Sequence, residues 1–135
     1  MPNSIATGVA YQDPEFTTMF VSEQMGYTSS AQGQVTQLTS KSTAVTLNKS
    51  AGQITMNNAA LAATTNVAFT LNNSLISAND VLIVNVAGGN ATAGTYNVFT
   101  STLTTGSATI VLRNISGGSL SEAVVINFAI IHGAV

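Results

Sequence analysis

From about residue 35 onward, short runs of Val, Ile, Leu and Thr alternate with small polar clusters. In residues 66–71 the larger apolar side chains Val67, Phe69 and Leu71 occupy every second position. This period of two is typical of a strand with one buried face. The same alternation in residues 95–100 and 108–113 predicts two further strands, and weaker strands are predicted around residues 35–38, 44–47 and 53–56.

Two other runs, residues 81–86 and 123–131, are apolar at nearly every position. A strand with apolar side chains on both faces is usually buried on both faces. These two runs therefore predict central strands that are covered on both sides.

The segments between the runs are rich in Gly, Asn, Asp and Ser, which tolerate positive φ or hydrogen-bond their own backbone. Clear turn sequences are KSAG, SAND, GGN and SGGS at residues 49–52, 77–80, 88–90 and 116–119. One helical turn is expected in residues 57–63, where Ala and Leu dominate. About eight strands with no alternating helices predict an all-β fold, a single jelly-roll-like β-sandwich.

Residues 1–34 lack this periodicity, so we assign 1–34 to an extended N-terminal arm and 35–135 to the β-sandwich domain. Large apolar side chains are spaced irregularly along the arm. They are Tyr11, Phe16, Met19, Phe20, Met25 and Tyr27. Exposed on a monomer, they would favour aggregation. We therefore predict a protein interface in which the arm adds a strand to a neighbouring subunit or inserts aromatic anchors. Part of the arm wrapping its own sandwich is the open alternative.

The amino-acid composition also favours a protein that binds other protein subunits. Only 6% of the 135 residues are charged, against roughly 25% in an ordinary soluble domain. A neutral surface rich in Ser, Thr, Asn, Gln and Gly suits burial against other subunits, although a charge-poor secreted β-domain also fits. Three basic residues and a net charge of −2 disfavour nucleic acid as a partner. No apolar run reaches the roughly 20 residues of a spanning helix, so no membrane partner is expected. The first residues also lack the basic start and apolar core of a signal peptide.

Candidate catalytic residues are few. His132 is the single histidine, and a Ser-His-Asp site would require it beside Asp80 or Asp13, with no nucleophile motif nearby. Asp13 and Glu15 could act as paired carboxylates, but they lie in the irregular arm. The expectation is a protein that is not an enzyme.

Ligand sites are equally weak in the sequence. Residues 79–80 and 89–90 offer only fragments of a calcium loop. The glycine pairs at 88–89 and 117–118 lack the Lys-Ser/Thr of a phosphate-binding loop. The chain has no cysteine for a thiolate metal site and no Trp for a sugar-stacking platform. We therefore expect no metal and no cofactor.

Several stretches resemble a known family of proteins. Residues 4–11 (SIATGVAY) and 13–18 (DPEFTT) are similar to the start of small head proteins encoded in tailed bacteriophages and prophages. Residues 50–57 (SAGQITMN), 116–123 (SGGSLSEA) and 127–131 (NFAII) recur in the same kind of protein. The resemblance covers essentially the whole chain, and its motifs are structural. Related β-modules also occur in phage tail fibres.

The resemblance implies a capsid cement (decoration) protein, located in the virion on the outer surface of the capsid. Such proteins form small homo-oligomers that clamp neighbouring copies of the major capsid protein. The expected partners are thus the major capsid protein and further copies of this chain, with a trimer favoured over a dimer. A tail-fibre or receptor-binding module that contacts the host surface is the alternative.

Overall fold

The structure is a computed structural model, and it describes residues 15–133. Within that range the chain forms eight strands and one short 3-10 turn at Ser29–Ala31. The strands are β1 (Gln32–Thr36), β2 (Val45–Thr46), β3 (Ala51–Thr55), β4 (Asn66–Asn72), β5 (Val81–Gly88), β6 (Tyr96–Thr104), β7 (Ser107–Asn114) and β8 (Val125–Ile131). The all-β class predicted from the alternating pattern is confirmed.

The eight strands form two packed four-stranded sheets. We call them the first sheet, with the order β1-β3-β8-β5, and the second sheet, with the order β2-β4-β7-β6. The chain passes from one sheet to the other at every connection except the β6–β7 hairpin and so builds a jelly-roll-like sandwich. The edge pairs β1–β3 and β2–β4 are parallel, and the other pairs are antiparallel.

The core lies between the two sheets and is formed by the alternate residues of each strand. In β4 the predicted alternation is confirmed, because Phe69 and Leu71 are buried while Asn66 and Ala68 are exposed. The opposing sheet contributes an inward-facing set from β8, namely Ile126, Phe128 and Ile130. Fully burying a side chain of this size stabilises the fold by about 1.5–3 kcal/mol. Hydrophobic burial therefore sets which face of each strand points inward.

The prediction that both apolar runs form central strands covered on both faces is only partly right. β8 is central in the first sheet, but β5 is an edge strand. Along β5, Leu82 is buried while Val81 and Ile83 are exposed on the outer face. At the end of β8, Ile131 is exposed as well. Within residues 15–133, no second layer of the chain covers the apolar residues on the outer side of these two strands.

The expected helical turn in residues 57–63 is wrong. This segment is an extended connection, in which Leu61 pairs with Leu120 through backbone N–H···O bonds of 2.8 and 3.0 Å. At its start, the Asn57 side chain accepts a 2.8 Å hydrogen bond from the Ala59 N–H. Burying Leu61 and closing this Asx turn together outweigh the local helix propensity of the alanines.

Candidate protein-binding surface

The structure shows five of the six arm residues that the sequence singled out, since Tyr11 lies outside the described residues. Every residue from 15 to 30 is exposed. The exposed residues include the large apolar side chains of the arm, and Phe20 is 94% exposed. Phe16, Met19, Phe20 and Met25 are thus available to a partner.

The last part of the arm is attached to the outer face of the first sheet. The Tyr27 hydroxyl donates a hydrogen bond to the backbone carbonyl of Ile130, in the central strand β8. The Gln32 side chain in turn donates to the Tyr27 carbonyl at 3.0 Å, and Lys49 Nζ donates to the Ser30 carbonyl at 2.9 Å. These bonds fix the point at which the arm leaves the sandwich. Tyr27 therefore packs on its own sandwich, as in the alternative in which part of the arm wraps its own domain.

A cavity of about 520 Å³ lies where the arm meets this outer face. Its apolar lining comes from the arm (Met25, Tyr27), from the edge strand (Ile83) and from β8 (Ala129, Ile131), and we call these five residues the apolar patch. His132 lies at its rim. The sequence did not predict that Ile83 and Ile131 lie at the surface, because each belongs to a continuous apolar run that predicts burial on both faces.

A row of amide side chains crosses the same outer face beside the apolar patch. Gln34, Gln53, Asn127 and Asn85 are consecutive partners in the register of β1, β3, β8 and β5. Gln53 Nε2 donates to Asn127 Oδ1 at 3.0 Å. Three of these amides line a second cavity of about 400 Å³. We call the four residues the amide row; it is uncharged and offers both donors and acceptors.

The one predicted catalytic pairing that can be placed is His132 with Asp80. His132 Nδ1 lies 3.0 Å from Asp80 Oδ2, and the carboxylate is buried while the imidazole side chain is 55% exposed. The Ser77 hydroxyl, however, donates to Asp80 Oδ1 at 2.8 Å. In a catalytic triad the serine lies on the imidazole and not on the carboxylate. Here the arrangement joins the turn before β5 to the end of β8, with Gly133 N–H also donating to Asp80.

Hydrogen bonding shifts the acidity of this carboxylate. The pKa of Asp80 is lowered to about 2, and the hydrogen bond from the Ser77 backbone N–H makes the largest contribution to this shift. Burial opposes the shift, whereas the Ser77 hydroxyl, Gly133 and His132 add to it. Asp80 therefore remains a charged acceptor that holds its loop together.

A second polar cluster, which the sequence did not reveal, surrounds Lys41. This lysine is 3% exposed, and its Nζ donates to the carbonyls of Asn57 and Glu122 at 2.5 Å each. Burial lowers the pKa of Lys41, and the negative charge of Glu122 partly opposes that effect. Nearby, burial and then the Glu122 carboxylate raise the pKa of Tyr96 to about 12. The cluster ties three loops together at one end of the sandwich.

Residues 15–133 contain no group of three or more His, Cys, Asp or Glu side chains placed to hold a metal ion. Asn90, one of the calcium-loop fragments, uses its amide to close its own turn onto Thr92 at 2.9 Å. No helix in the described part of the chain is long and apolar enough to cross a membrane.

Comparisons with protein-family models, with curated proteins and with solved structures find no significant match.

Proposed function

We propose that this chain is a structural virion protein, a capsid cement protein that binds the outer surface of a phage head as a homo-oligomer and clamps neighbouring major capsid proteins. One observation carries the proposal. A charge-poor sandwich presents an arm whose large apolar side chains, such as Phe20 at 94% exposure, touch little of their own domain. Side chains of this kind are the usual anchors of protein interfaces.

Repetition over a closed shell makes such a contact effective. When several copies of one oligomer bind adjacent sites, each further contact is intramolecular, so modest individual affinities combine into stable attachment. The anchors are neutral, and neutral contacts depend little on ionic strength. Both properties suit a protein that reinforces a particle released into varied media.

The test is co-sedimentation with heads of the phage that encodes this chain, assembled without the protein. The full-length chain is compared with a variant that carries Phe16→Ser and Met19→Ser. Leu38→Ser is the matched control, because Leu38 is equally apolar and 85% exposed but lies outside the arm. We expect wild type and the control to saturate the heads and the arm variant to bind at least about ten-fold more weakly. Wild-type protein that stays in the supernatant would refute the cement function.

The amide row supports one alternative, a tail-fibre or receptor-binding module. Each amide side chain can both donate and accept hydrogen bonds. Gln34, Gln53 and Asn127, which line the cavity of the amide row, could therefore hydrogen-bond the hydroxyl groups of a neutral sugar on a host surface. Binding of labelled protein to host cells distinguishes the two functions. Binding to cells that is lost in Gln53→Ala and Asn127→Ala, without binding to heads, would favour the fibre function over the cement function.

A further inference from the structure

The outer face of the first sheet bears more apolar surface than an isolated sandwich requires. Ile83 on the edge strand is 48% exposed and Ile131 beside it is 54% exposed. Val81, which pairs with Ile131, is exposed too. Antiparallel sheets that face water usually carry polar residues at such positions. This part of the face therefore has the composition of a covered surface.

The described part of the arm carries a second exposed apolar surface. Upstream of Met25, the arm exposes Phe16, Met19 and Phe20. Tyr27 is held on β8, so these residues lie upstream of an anchored point, and an extended chain would reach about 3.3–3.6 Å per residue from that point. Among the described residues of one copy, Phe16 and Phe20 of the arm and Ile83 and Ile131 of the apolar patch are all exposed.

We propose that residues 16–20 of one copy bind the apolar patch of a second copy, with Phe20 inserted between Ile83 and Ile131. The proposal rests on the homo-oligomeric state within the proposed function and names the contact that creates it. The cavity of about 520 Å³ lies within the range of roughly 300–1,000 Å³ typical of binding pockets. An inserted aromatic side chain buries about 150–250 Å².

Charge and polarity fit this occupant. Residues 16–21 contain no charged side chain, and Glu15 and Glu23 lie outside that segment. The five residues of the apolar patch are likewise uncharged. The two joined surfaces therefore contribute no charged side chain whose desolvation would oppose binding. The titratable groups that line the cavity are Tyr27 and His132, and His132 is paired with Asp80.

The geometry also gives the contact a direction. An arm that enters a patch on the next copy joins two different surfaces, and such head-to-tail contacts form a closed ring when the rotation between copies allows it. Reciprocal exchange of two arms would close a dimer, and cyclic exchange of three arms would close the trimer expected from the sequence.

The first experiment measures the mass of the full-length protein in solution, without heads, by sedimentation equilibrium. Phe20→Ser removes the inserted side chain, Ile83→Ser alters the patch, and Leu38→Ser is the matched control for loss of an exposed apolar side chain. We expect wild type and the control to be oligomers. Each of the other two variants should dissociate at concentrations at least about ten-fold higher than wild type does. Circular dichroism and thermal unfolding establish that each variant is folded.

Mixing the two defective variants tests the arm-to-patch contact directly. The Ile83→Ser chain keeps its arm and the Phe20→Ser chain keeps its patch. At a concentration at which each variant alone is monomeric, a mixture of the two should therefore form a one-to-one complex. A monomeric wild type, a control as defective as Phe20→Ser, or a mixture that stays monomeric would each overturn the proposal.

These readouts are independent of the capsid. An oligomer that follows the predicted pattern but does not bind heads would contradict the cement function and leave the arm contact intact. A wild-type protein that is monomeric in solution but binds heads would contradict the arm contact and leave the binding to heads intact.

Discussion

At the scale of single residues, the rarity of charge gives the few ionised side chains clear structural roles. Lys41 is buried, and its ammonium group satisfies two carbonyls that belong to connections far apart in the sequence. Both carbonyls are partly buried, and a carbonyl that loses its donor away from water costs free energy. Lys41 thus stabilises one end of the sandwich through its hydrogen bonds.

We predict that Lys41→Met lowers the free energy of unfolding by about 1.5–3 kcal/mol, since two hydrogen bonds to a charged group are lost and their acceptors stay partly buried. Urea denaturation followed by circular dichroism measures the change. Lys49→Met is the control, because Lys49 makes its hydrogen bond to Ser30 at an exposed site. The control should change stability by less than about 0.5 kcal/mol. Equal losses in the two variants would contradict the role of Lys41.

The lowered pKa of Asp80 makes the stability of the fold depend on pH in the acid range. Its pKa falls from 3.8 in the unfolded chain to about 2 in the fold, so the unfolded state binds more protons between these values. The contribution of this carboxylate is therefore complete above about pH 4 and is lost as the pH falls towards 2.

We expect Asp80→Asn to be less stable than wild type near neutral pH, with the difference shrinking as the pH falls from about 4 to about 2. Urea midpoints measured across this range test the prediction. Glu23→Gln, at an exposed position in the arm, serves as the control for removing a carboxylate. A gap between wild type and Asp80→Asn that is constant with pH would show that the Asp80 charge has no such role.

At the scale of elements, the turn after β5 brings the backbone of two segments into close contact. Gly89 has φ of 78°, and a Cβ at this position would lie 2.0 Å from the Ala123 carbonyl oxygen. Gly94 has nearly the same φ of 77° but has nothing within 4 Å of its Cβ direction. The two positions separate backbone strain from steric contact.

Gly94→Ala should therefore cost about 1–2 kcal/mol, the usual penalty of a left-handed conformation for an L-residue. Gly89→Ala should cost about 1–3 kcal/mol more, because the backbone must also move away from Ala123. Thermal and urea unfolding of both variants measure the difference. Equal costs would mean that the close approach to Ala123 is readily relieved.

At the scale of the whole molecule, the low charge content predicts assembly that responds little to salt. Neither the arm anchors nor the apolar patch contains a charged side chain. Salt screens charge pairs and leaves apolar contacts in place.

We expect the dissociation constant of the oligomer to change by less than about three-fold between roughly 0.05 and 0.5 M NaCl, measured by sedimentation equilibrium. Sodium sulfate, which strengthens the burial of apolar groups, is the comparison and should tighten assembly. Dissociation that rises steeply with NaCl would indicate an interface held by charges instead.

The amino-acid sequence by itself determined the class of this fold. Alternating apolar residues, as in Val67, Phe69 and Leu71, and turn sequences such as SAND and SGGS are local signals, because a strand's two faces and a turn's φ angles depend on adjacent residues. About eight strands and an exposed apolar arm followed from these signals. The functional assignment, which came from the residue composition and from the family resemblance, stays a prediction.

Only the tertiary structure decided what depends on distant contacts. It placed the run at 81–86 on a sheet edge, so that Ile83 is part of a surface, and it drew Lys41 to carbonyls 16 and 81 residues away along the chain. It also set Ser77 on the Asp80 carboxylate instead of on His132. Strand order and the partners of buried polar groups depend on packing over the whole chain. The sequence of an apolar run does not distinguish a strand whose second face packs against its own chain from one whose second face packs against another copy.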